Sequence, residues 1–250
     1  MVAAEDTRVT ARLLRHYQIA TPLTALHAHN EKGAIPRLLR MLAQGKSVAL
    51  ASDAGTPAIS DPGAQLVAAA RAAGHRVVPV PGASALTAAV SAAGFSDPRF
   101  QFQGFLPQRT GERRRVLEAL RSVSCALVFY EAPHRIDAAL ADLCGILGAG
   151  RRMVIARELT KLFETIHACT LGEAQQWLAA DEHRTRGEFV LIVAGAAGAD
   201  DDDPDAARRV LELLLAEVPL KQAVALAARI TGAKKNELYA LALEMKKRDE

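Results

Sequence analysis

The segment ALASDAGTPAISDPG, residues 49–63, decides the fold. Val48–Ala51 is typical of a buried strand, and residues that free, fix or hydrogen-bond the backbone follow at once. Gly55 allows the backbone to approach a ligand closely, and Pro57 stiffens the loop. Because ligands of open α/β sheets bind outside the carboxyl ends of strands, we interpret this stretch as a ligand loop. A plain strand–helix connection with Asp61 as the helix N-cap is the alternative.

The same alternation of short apolar runs and Ala- and Leu-rich helical segments continues on both sides of this loop. It predicts an α/β fold of two lobes with mainly parallel or mixed sheets, residues 1–97 and residues 98–198. The predicted strands are Val48–Ala51, Arg76–Val80, Cys125–Tyr130, Met153–Ala156 and Phe189–Val193. The predicted helices are Asp61–Ala73, Ser84–Ala93, Arg113–Leu120 and Arg135–Leu147.

The last fifty residues have a different pattern. Residues 199–205 form an acidic linker that like charges keep extended. Residues 206–250 are helical in pattern, and Leu220–Ile230 and Lys234–Met245 flank a Gly turn. This arrangement resembles a helix-turn-helix, although a helical hairpin that serves packing alone has the same pattern.

The composition limits the classes of function. Of the 250 residues, 50% are hydrophobic and 24% are charged, which is typical of a globular protein. Three cysteines without a CxxC pair indicate a reducing, cytoplasmic setting, and no apolar run reaches the length of a membrane span. The net charge of +3 is compatible with nucleic-acid binding, whereas the 4% aromatic content is unfavourable to a broad base-stacking platform.

Nucleotide and metal motifs are not found in the sequence. It contains neither a GxxxxGK[ST] nor a GxGxxG loop, so neither ATP nor NAD is favoured. His27 and His29 have no third ligand nearby, and we therefore expect no metal. Polar clusters instead follow the predicted strands, at Pro81–Ala85, Tyr130–Arg135 and Ala156–Lys161, and near the start at Ala3–Arg8.

These clusters together resemble a known family. The strings AEDTR, LHAHNE, SDAGTPAISDPG, VPGASA, GFLPQR, FYEAPHR, RELTK and GEFVLIV occur in this order and span nearly the whole chain. They resemble the tetrapyrrole methylase superfamily and, within it, the subfamily that methylates a cytidine ribose 2′-oxygen of small-subunit (16S) ribosomal RNA. The resemblance implies S-adenosylmethionine in a cleft between two α/β domains, a homodimer, and the 30S subunit as partner.

The resemblance also implies which residues bind the cofactor. The strand-end loops of the family correspond to residues in both predicted lobes. This set is Asp53, Ala54, Gly55, Thr56, Ile59, Ser84, Ala85, Tyr130, Glu131 and Thr160. Members of the family begin with an additional strand and a loop of the form PTPIGNL, whereas Met1 here lies almost against AEDTR. We therefore expect this chain to bind the cofactor weakly.

Catalysis on a ribose requires that the hydroxyl lose its proton. The candidates for a base or an orienting group are Glu5, Asp6, His134, Glu158 and Lys161, with structural ion pairing as the alternative for each. Lys161 would serve as a base only if burial lowered its pKa.

Phosphate contacts are expected from basic residues at two places. These residues are Arg109, Arg113, Arg114, Arg115, Lys234 and Lys235, each of which is alternatively part of a solvated helix face.

Two other functions stay open at this point. One is methylation of a small tetrapyrrole, and the other is RNA binding without catalysis.

Overall fold

The computed structural model describes residues 1–196, 206–231 and 233–248. The chain forms two compact units, one of residues 1–121 and 125–194 and the other of residues 122–124 and 195–250. The predicted acidic linker, residues 199–205, lies outside the described residues. The predicted lobe boundary between residues 97 and 98 stays a prediction, although one sheet lies on each side of it in the sequence.

The first sheet is parallel and has the order β2–β1–β3. Its strands are β1 (Val2–Ala4), β2 (Leu23–Ala25) and β3 (Ala49–Ala51). The helices of this half of the chain are α1 (Thr7–His16), α2 (Glu31–Ala43), α3 (Ala64–Ala72) and α4 (Ala85–Ala92), of which α4 packs through Ala89 against the other sheet. Ala3, Leu26, Leu38 and Leu66 form the buried core on which this sheet packs. Because all three strands run in one direction, their carboxyl ends lie at the same edge of the sheet.

The second sheet has the order β4–β5–β8–β6–β7, in which β4 and β5 are parallel and the other pairs antiparallel. Its strands are β4 (Phe100–Phe105), β5 (Ala126–Glu131), β6 (Arg152–Arg157), β7 (Thr165–Thr170) and β8 (Phe189–Val193). Its helices are α5 (Thr110–Leu120), α6 (Ile136–Leu147), α7 (Leu171–Ala179) and a 3₁₀ turn (Glu182–Thr185). The two sheets confirm the predicted α/β class with parallel and mixed sheets.

The predicted strand at Arg76–Val80 is wrong. These residues form no strand, and no backbone hydrogen bond joins them to a strand in the described part of the chain. Val78 and Val80 are 59% and 85% exposed. Valine favours an extended backbone, but a strand also needs a neighbour with which to pair, and the local sequence does not specify one.

Helix α3 begins three residues later than predicted. Gly63 has φ +124°, which is outside the helical region, so the helix begins at Ala64. The buried Glu31 on α2 accepts hydrogen bonds from the backbone N–H groups of Gly63, Gln65 and Leu66 at 3.0, 3.0 and 3.2 Å. A side chain distant in sequence therefore satisfies the start of this helix, and the N-cap role considered for Asp61 is not needed.

The second unit contains three helices in its described residues. It contains α8 (Ala206–Glu217), α9 (Leu220–Thr231) and α10 (Lys235–Arg248), so the two predicted tail helices are confirmed. These helices pack around Leu211, Ala223, Val224, Ala227, Leu238 and Ala242. No helix in the described residues is both long enough and apolar enough to cross a membrane.

Candidate functional site

A cavity of about 380 Å³ lies in the first unit, where loops associated with the first sheet face one edge of the second sheet. The first half of the chain contributes Ala54, Gly55, Thr56, Ile59, Ser84 and Ala85. A hollow of about 410 Å³ beside β2 and α2 is lined only by residues 24–38, and it is more open. The cavity that both halves of the chain build is therefore the candidate site.

The topology of the second sheet explains its contribution to the cavity. Strand β8 is antiparallel to β5 and β6, so its start lies beside their ends, with Phe189 opposite both Glu131 and Arg157. Residues that are far apart in sequence therefore meet at one edge of this sheet. They include Phe105, Tyr130, Glu131, Leu159, Glu188 and Val190.

The two loops from the first half of the chain are joined by a hydrogen bond. Thr56 Oγ1 donates to the carbonyl oxygen of Ala83 at 3.0 Å. Ala58 and Ser60 have φ of 68° and 63°, a left-handed conformation that costs residues with a side chain of order 1–3 kcal/mol each. The loop after β3 thus holds a shape that local preferences alone do not favour, as is common at ligand sites.

Tyr130 connects these loops to the second sheet. Its hydroxyl oxygen accepts a hydrogen bond from Leu86 N at 3.1 Å, and burial raises the pKa of this phenol. The ring makes edge contacts with Phe102 and Phe105, at centroid distances of 4.9 and 5.7 Å. Phe105 is 51% exposed and lines the cavity, so it presents an apolar ring to a bound molecule.

Glu131 is a buried carboxylate that is already partnered. Its side chain is fully buried, Oε1 lies 3.2 Å from Arg135 Nε, and it accepts a hydrogen bond from Ala132 N at 2.9 Å. Burial raises the pKa of Glu131, while the Ala132 N–H and the Arg135 charge oppose this shift. Arg135 also donates to the carbonyl oxygen of Leu106. This pair therefore ties the end of β5 to the segment after β4.

Lys161 lies between two carboxylates. Its Nζ donates to Glu158 Oε1 at 2.8 Å and to Glu188 Oε2 at 3.1 Å. The hydrogen bond to Glu158 is the main cause that raises the pKa of Lys161, and the bond to Glu188 adds to it against the opposing effect of burial. A base requires a lowered pKa, so the condition that we set for Lys161 is not met.

Eight of the ten predicted cofactor residues line the cavity. The exceptions are Asp53, whose Oδ1 accepts a hydrogen bond from Asp6 N at 3.1 Å, and Thr160, whose N–H donates to Glu164 at 2.6 Å. The eight that the structure brings together are Ala54, Gly55, Thr56, Ile59, Ser84, Ala85, Tyr130 and Glu131. Their contact with cofactor stays a prediction, as does the expected weak binding.

The five predicted base candidates are not among the residues that line the cavity. Glu5 accepts a hydrogen bond from Asp53 N at 3.2 Å. The half-buried Asp6 is bound to Arg8, and that hydrogen bond lowers the pKa of Asp6 to about 2. His134 is exposed, and Glu158 is paired with Lys161. Their catalytic roles stay untested predictions.

The predicted phosphate-binding residues are of two kinds. Arg113 is only 4% exposed, and its guanidinium lies 2.6 Å from Asp142, so it does not offer its charge to a phosphate. The other predicted residues, Arg109, Arg114, Arg115, Lys234 and Lys235, are exposed. The run of three arginines at residues 113–115 does not show from the sequence that the first is buried and the other two are exposed.

Nine lining residues were not among the predicted cofactor residues: Ser60, Asp61, Phe105, Ala132, Pro133, Leu159, Glu188, Phe189 and Val190. Phe105 ends β4 and Glu188 directly precedes β8, whereas Asp61 lies in the loop before α3. Their position next to a strand or helix end was the only signal in the sequence that could have identified them. Among the described residues, no group of three His, Cys, Asp or Glu side chains is placed to hold a metal ion.

Comparisons with known proteins identify the family. Residues 1–175 match the family of Tetrapyrrole (Corrin/Porphyrin) Methylases, and residues 200–246 match the RsmI C-terminal HTH domain. The chain therefore belongs to the tetrapyrrole methylase family, a class of methyltransferases that use S-adenosylmethionine.

Two curated relatives are similar along almost the whole chain. The ribosomal RNA small subunit methyltransferase I of Pseudomonas aeruginosa is 52% identical, over 98% of this chain and 87% of the relative. The protein of the same name from Escherichia coli O157:H7 is 50% identical, over 98% of this chain and 85% of the relative.

A solved structure shows the same fold. It is the uroporphyrin-III C-methyltransferase of Thermus thermophilus complexed with S-adenyl homocysteine, with a TM-score of 0.52. The identity is 17%, over 77% of this chain and 84% of that chain, so this likeness concerns the fold alone.

The cavity fits S-adenosylmethionine in size and in chemistry. Its volume of about 380 Å³ falls within the range of small-molecule sites. Its wall contains the small residues Gly55 and Ala85 and the apolar side chains of Phe105 and Leu159.

Proposed function

We propose that this chain methylates the ribose 2′-oxygen of a cytidine in small-subunit (16S) ribosomal RNA, with S-adenosylmethionine as the methyl donor. The observation that carries the proposal is the cavity at the strand ends, which the family's small-residue loops line from both halves of the chain. The names of the curated relatives support the ribosomal RNA substrate. The cytidine and the 2′-oxygen come from the resemblance of the sequence motifs.

The mechanism depends on positioning. S-adenosylmethionine supplies a methyl group on a positively charged sulfur, and this charge disappears as the methyl leaves. The chain therefore needs to align donor and acceptor rather than to bind a growing charge, and alignment can supply up to about 7–11 kcal/mol in well-oriented systems. The hydrogen bond between Thr56 and Ala83 and the contact of Tyr130 with Leu86 hold the cavity walls in place.

RNA binding is assigned to exposed basic side chains. Arg114 and Arg115 lie on α5, and Lys234 and Lys235 lie at the start of α10. Arg109, just before α5, is 85% exposed in its side chain and pairs with the exposed Glu112 at 3.3 Å. Such surface pairs are weak, so a phosphate can replace the carboxylate at little cost.

The setting of the reaction follows from the substrate. We infer that the chain acts on the 30S subunit in the cytoplasm, where ribosomal RNA is assembled, and that it acts as a homodimer. The resemblance of the motifs supports both inferences. Analytical ultracentrifugation of the full chain measures the dimer directly, and a monomer at the concentrations used for activity would contradict it.

A methyl-transfer assay tests the function. Small subunits that lack the modification are incubated with the chain and S-adenosylmethionine labelled on its methyl group, and the RNA is digested to nucleosides. We expect label in 2′-O-methylcytidine. Label on a base would refute the 2′-oxygen. Methylation of uroporphyrinogen without label in RNA would favour the tetrapyrrole alternative, and RNA binding without transfer would favour a non-catalytic role.

A pair of variants connects this activity to the cavity. Ala85→Leu adds volume to the cavity wall and should lower cofactor binding and transfer together. Thr87→Leu is the matched control, because Thr87 lies on the same helix, is exposed and does not line the cavity. Equal loss in both variants would indicate a general effect on folding, and no loss in Ala85→Leu would place the cofactor elsewhere.

A further inference from the structure

We propose that Asp61 is the catalytic base that accepts the proton of the ribose 2′-hydroxyl. This inference rests on the proposed function, since it requires a ribose oxygen as the methyl acceptor. Asp61 lines the cavity beside Ile59 and Ser60, on the wall that comes from the first half of the chain.

The other carboxylates of the cavity are already engaged. Three carboxylates line it, namely Asp61, Glu131 and Glu188. Glu131 is buried against Arg135 at 3.2 Å, and Glu188 accepts a hydrogen bond from Lys161 at 3.1 Å. No basic side chain in the described part of the chain lies within ion-pairing distance of Asp61. A carboxylate that is not bound to a cation keeps its affinity for a proton, which a base requires.

Backbone constraints on both sides of Asp61 help to hold it in place. Ser60 before it has φ +63°, and Pro62 after it has a fixed φ. The segment that follows is anchored because Glu31 Oε1 accepts hydrogen bonds from Gly63, Gln65 and Leu66. Glu31 thus takes over the capping of α3, a role that an aspartate in this sequence would otherwise fill, so the Asp61 side chain is not required for that cap.

The electrostatic surroundings favour the same role. Burial raises the pKa of Asp61, the negative charges of Glu5 and Asp53 raise it further, and the Ser52 hydroxyl opposes these effects. Tyr130 is the other titratable group that interacts with this carboxylate, from across the cavity. A base is more effective when its pKa approaches the working pH, so a raised carboxyl pKa helps proton transfer.

The proposed step balances in atoms and charge. As the 2′-oxygen forms its bond to the methyl carbon, the bond between that carbon and sulfur breaks. The hydroxyl proton passes to a carboxylate oxygen of Asp61, and the electron pair of the broken bond stays on sulfur. The products are the 2′-O-methyl ribose, S-adenosylhomocysteine and a protonated Asp61, which then releases its proton to water.

The test replaces the carboxylate by an amide of the same shape. Asp61→Asn should lower kcat by about 10²- to 10⁴-fold, the usual contribution of a general base. The affinity for S-adenosylhomocysteine, measured by calorimetry, and for the RNA should stay at the wild-type values. The wild-type kcat should fall at acidic pH as the carboxyl is protonated, and Asp61→Asn should lack this acidic limb. Asp61→Glu should recover part of the activity.

The control is Asp97→Asn, which removes a half-buried carboxylate that pairs with Arg99 and does not line the cavity. It should leave kcat unchanged. Retention of kcat within about tenfold in Asp61→Asn would overturn the proposal, because general bases contribute more than this. A loss of S-adenosylhomocysteine affinity that matches the loss of activity would also overturn it and make Asp61 a cofactor ligand.

Product analysis separates this inference from the function on which it rests. If the wild type forms 2′-O-methylcytidine and Asp61→Asn is equally active, only the inference fails. If the wild type methylates a different atom, the proposed function fails and the inference fails with it.

Discussion

The ion pair between α5 and α6 gives a prediction that can be worked out from the structure. Arg113 and Asp142 are each 5% exposed in their side chains, and their charged groups lie 2.6 Å apart. Asp142 also accepts a hydrogen bond from the exposed Arg114 at 2.7 Å. Asp142→Ala would leave the Arg113 guanidinium buried without a countercharge. Removal of one partner from such a pair costs about 3–5 kcal/mol in the free energy of unfolding.

Urea unfolding measures this cost. Trp177, the single tryptophan of the sequence, lies in the same compact unit and stacks on His167, so its fluorescence reports the unfolding of that unit. The control is Glu112→Ala, which removes an exposed partner of Arg109 and should change stability by less than about 0.5 kcal/mol. A loss below about 1 kcal/mol in Asp142→Ala would show that Arg113 is not held as the structure indicates.

The pH dependence of this variant provides a second check. Burial alone would raise the pKa of Asp142, but the hydrogen bonds and charges of Arg114 and Arg113 hold it below its ordinary value. A lowered carboxyl pKa in the folded state contributes stability above the unfolded pKa of about 4. That contribution is lost as the pH falls through the folded value. The stability gap between wild type and Asp142→Ala should therefore narrow in acid.

Three further outcomes are expected. Gly187→Ala should lower the free energy of unfolding by at least about 1–3 kcal/mol, because Gly187 has φ +94° and an added Cβ would lie 2.5 Å from Glu158 Cγ. The control is Gly150→Ala, whose added Cβ meets no atom within 4 Å. Urea unfolding of both variants measures the difference. Burial raises the pKa of the Cys169 thiol to about 11, so peptide mapping after alkylation near pH 8 should find it unmodified until the protein unfolds. Arg115→Ala should reduce the salt dependence of RNA binding by about one unit of slope, and an unchanged slope would exclude its phosphate contact.

The loops at the strand ends could be predicted because the information is local. An apolar run that meets Gly, Pro, Ser and Thr indicates where a strand stops, and parallel strands bring their ends to one edge. Gly55, which follows β3, was found in this way, whereas Ala85 was assigned through the family resemblance. The strand predicted at Arg76–Val80 was wrong because pairing depends on a neighbouring strand, which the segment itself does not encode.

The roles of charged side chains were harder to predict because their partners are distant in sequence. Asp61 looks like a helix cap until Glu31, thirty positions earlier, is seen to occupy that place. Lys161 looks like a candidate base until Glu158 and Glu188 are seen on either side of it. In both cases the residue type indicated more than one possible role, and a contact with a residue distant in sequence decided which role the structure supports.

A crystal structure of this chain with S-adenosylhomocysteine tests the central claim most directly. We predict that the ligand lies between the loops that carry Gly55 and Ala85 and the ends of β4 and β5, with its sulfur on the side that faces Asp61. Binding in the hollow beside β2 and α2, or anywhere outside the loops of both halves of the chain, would contradict the account.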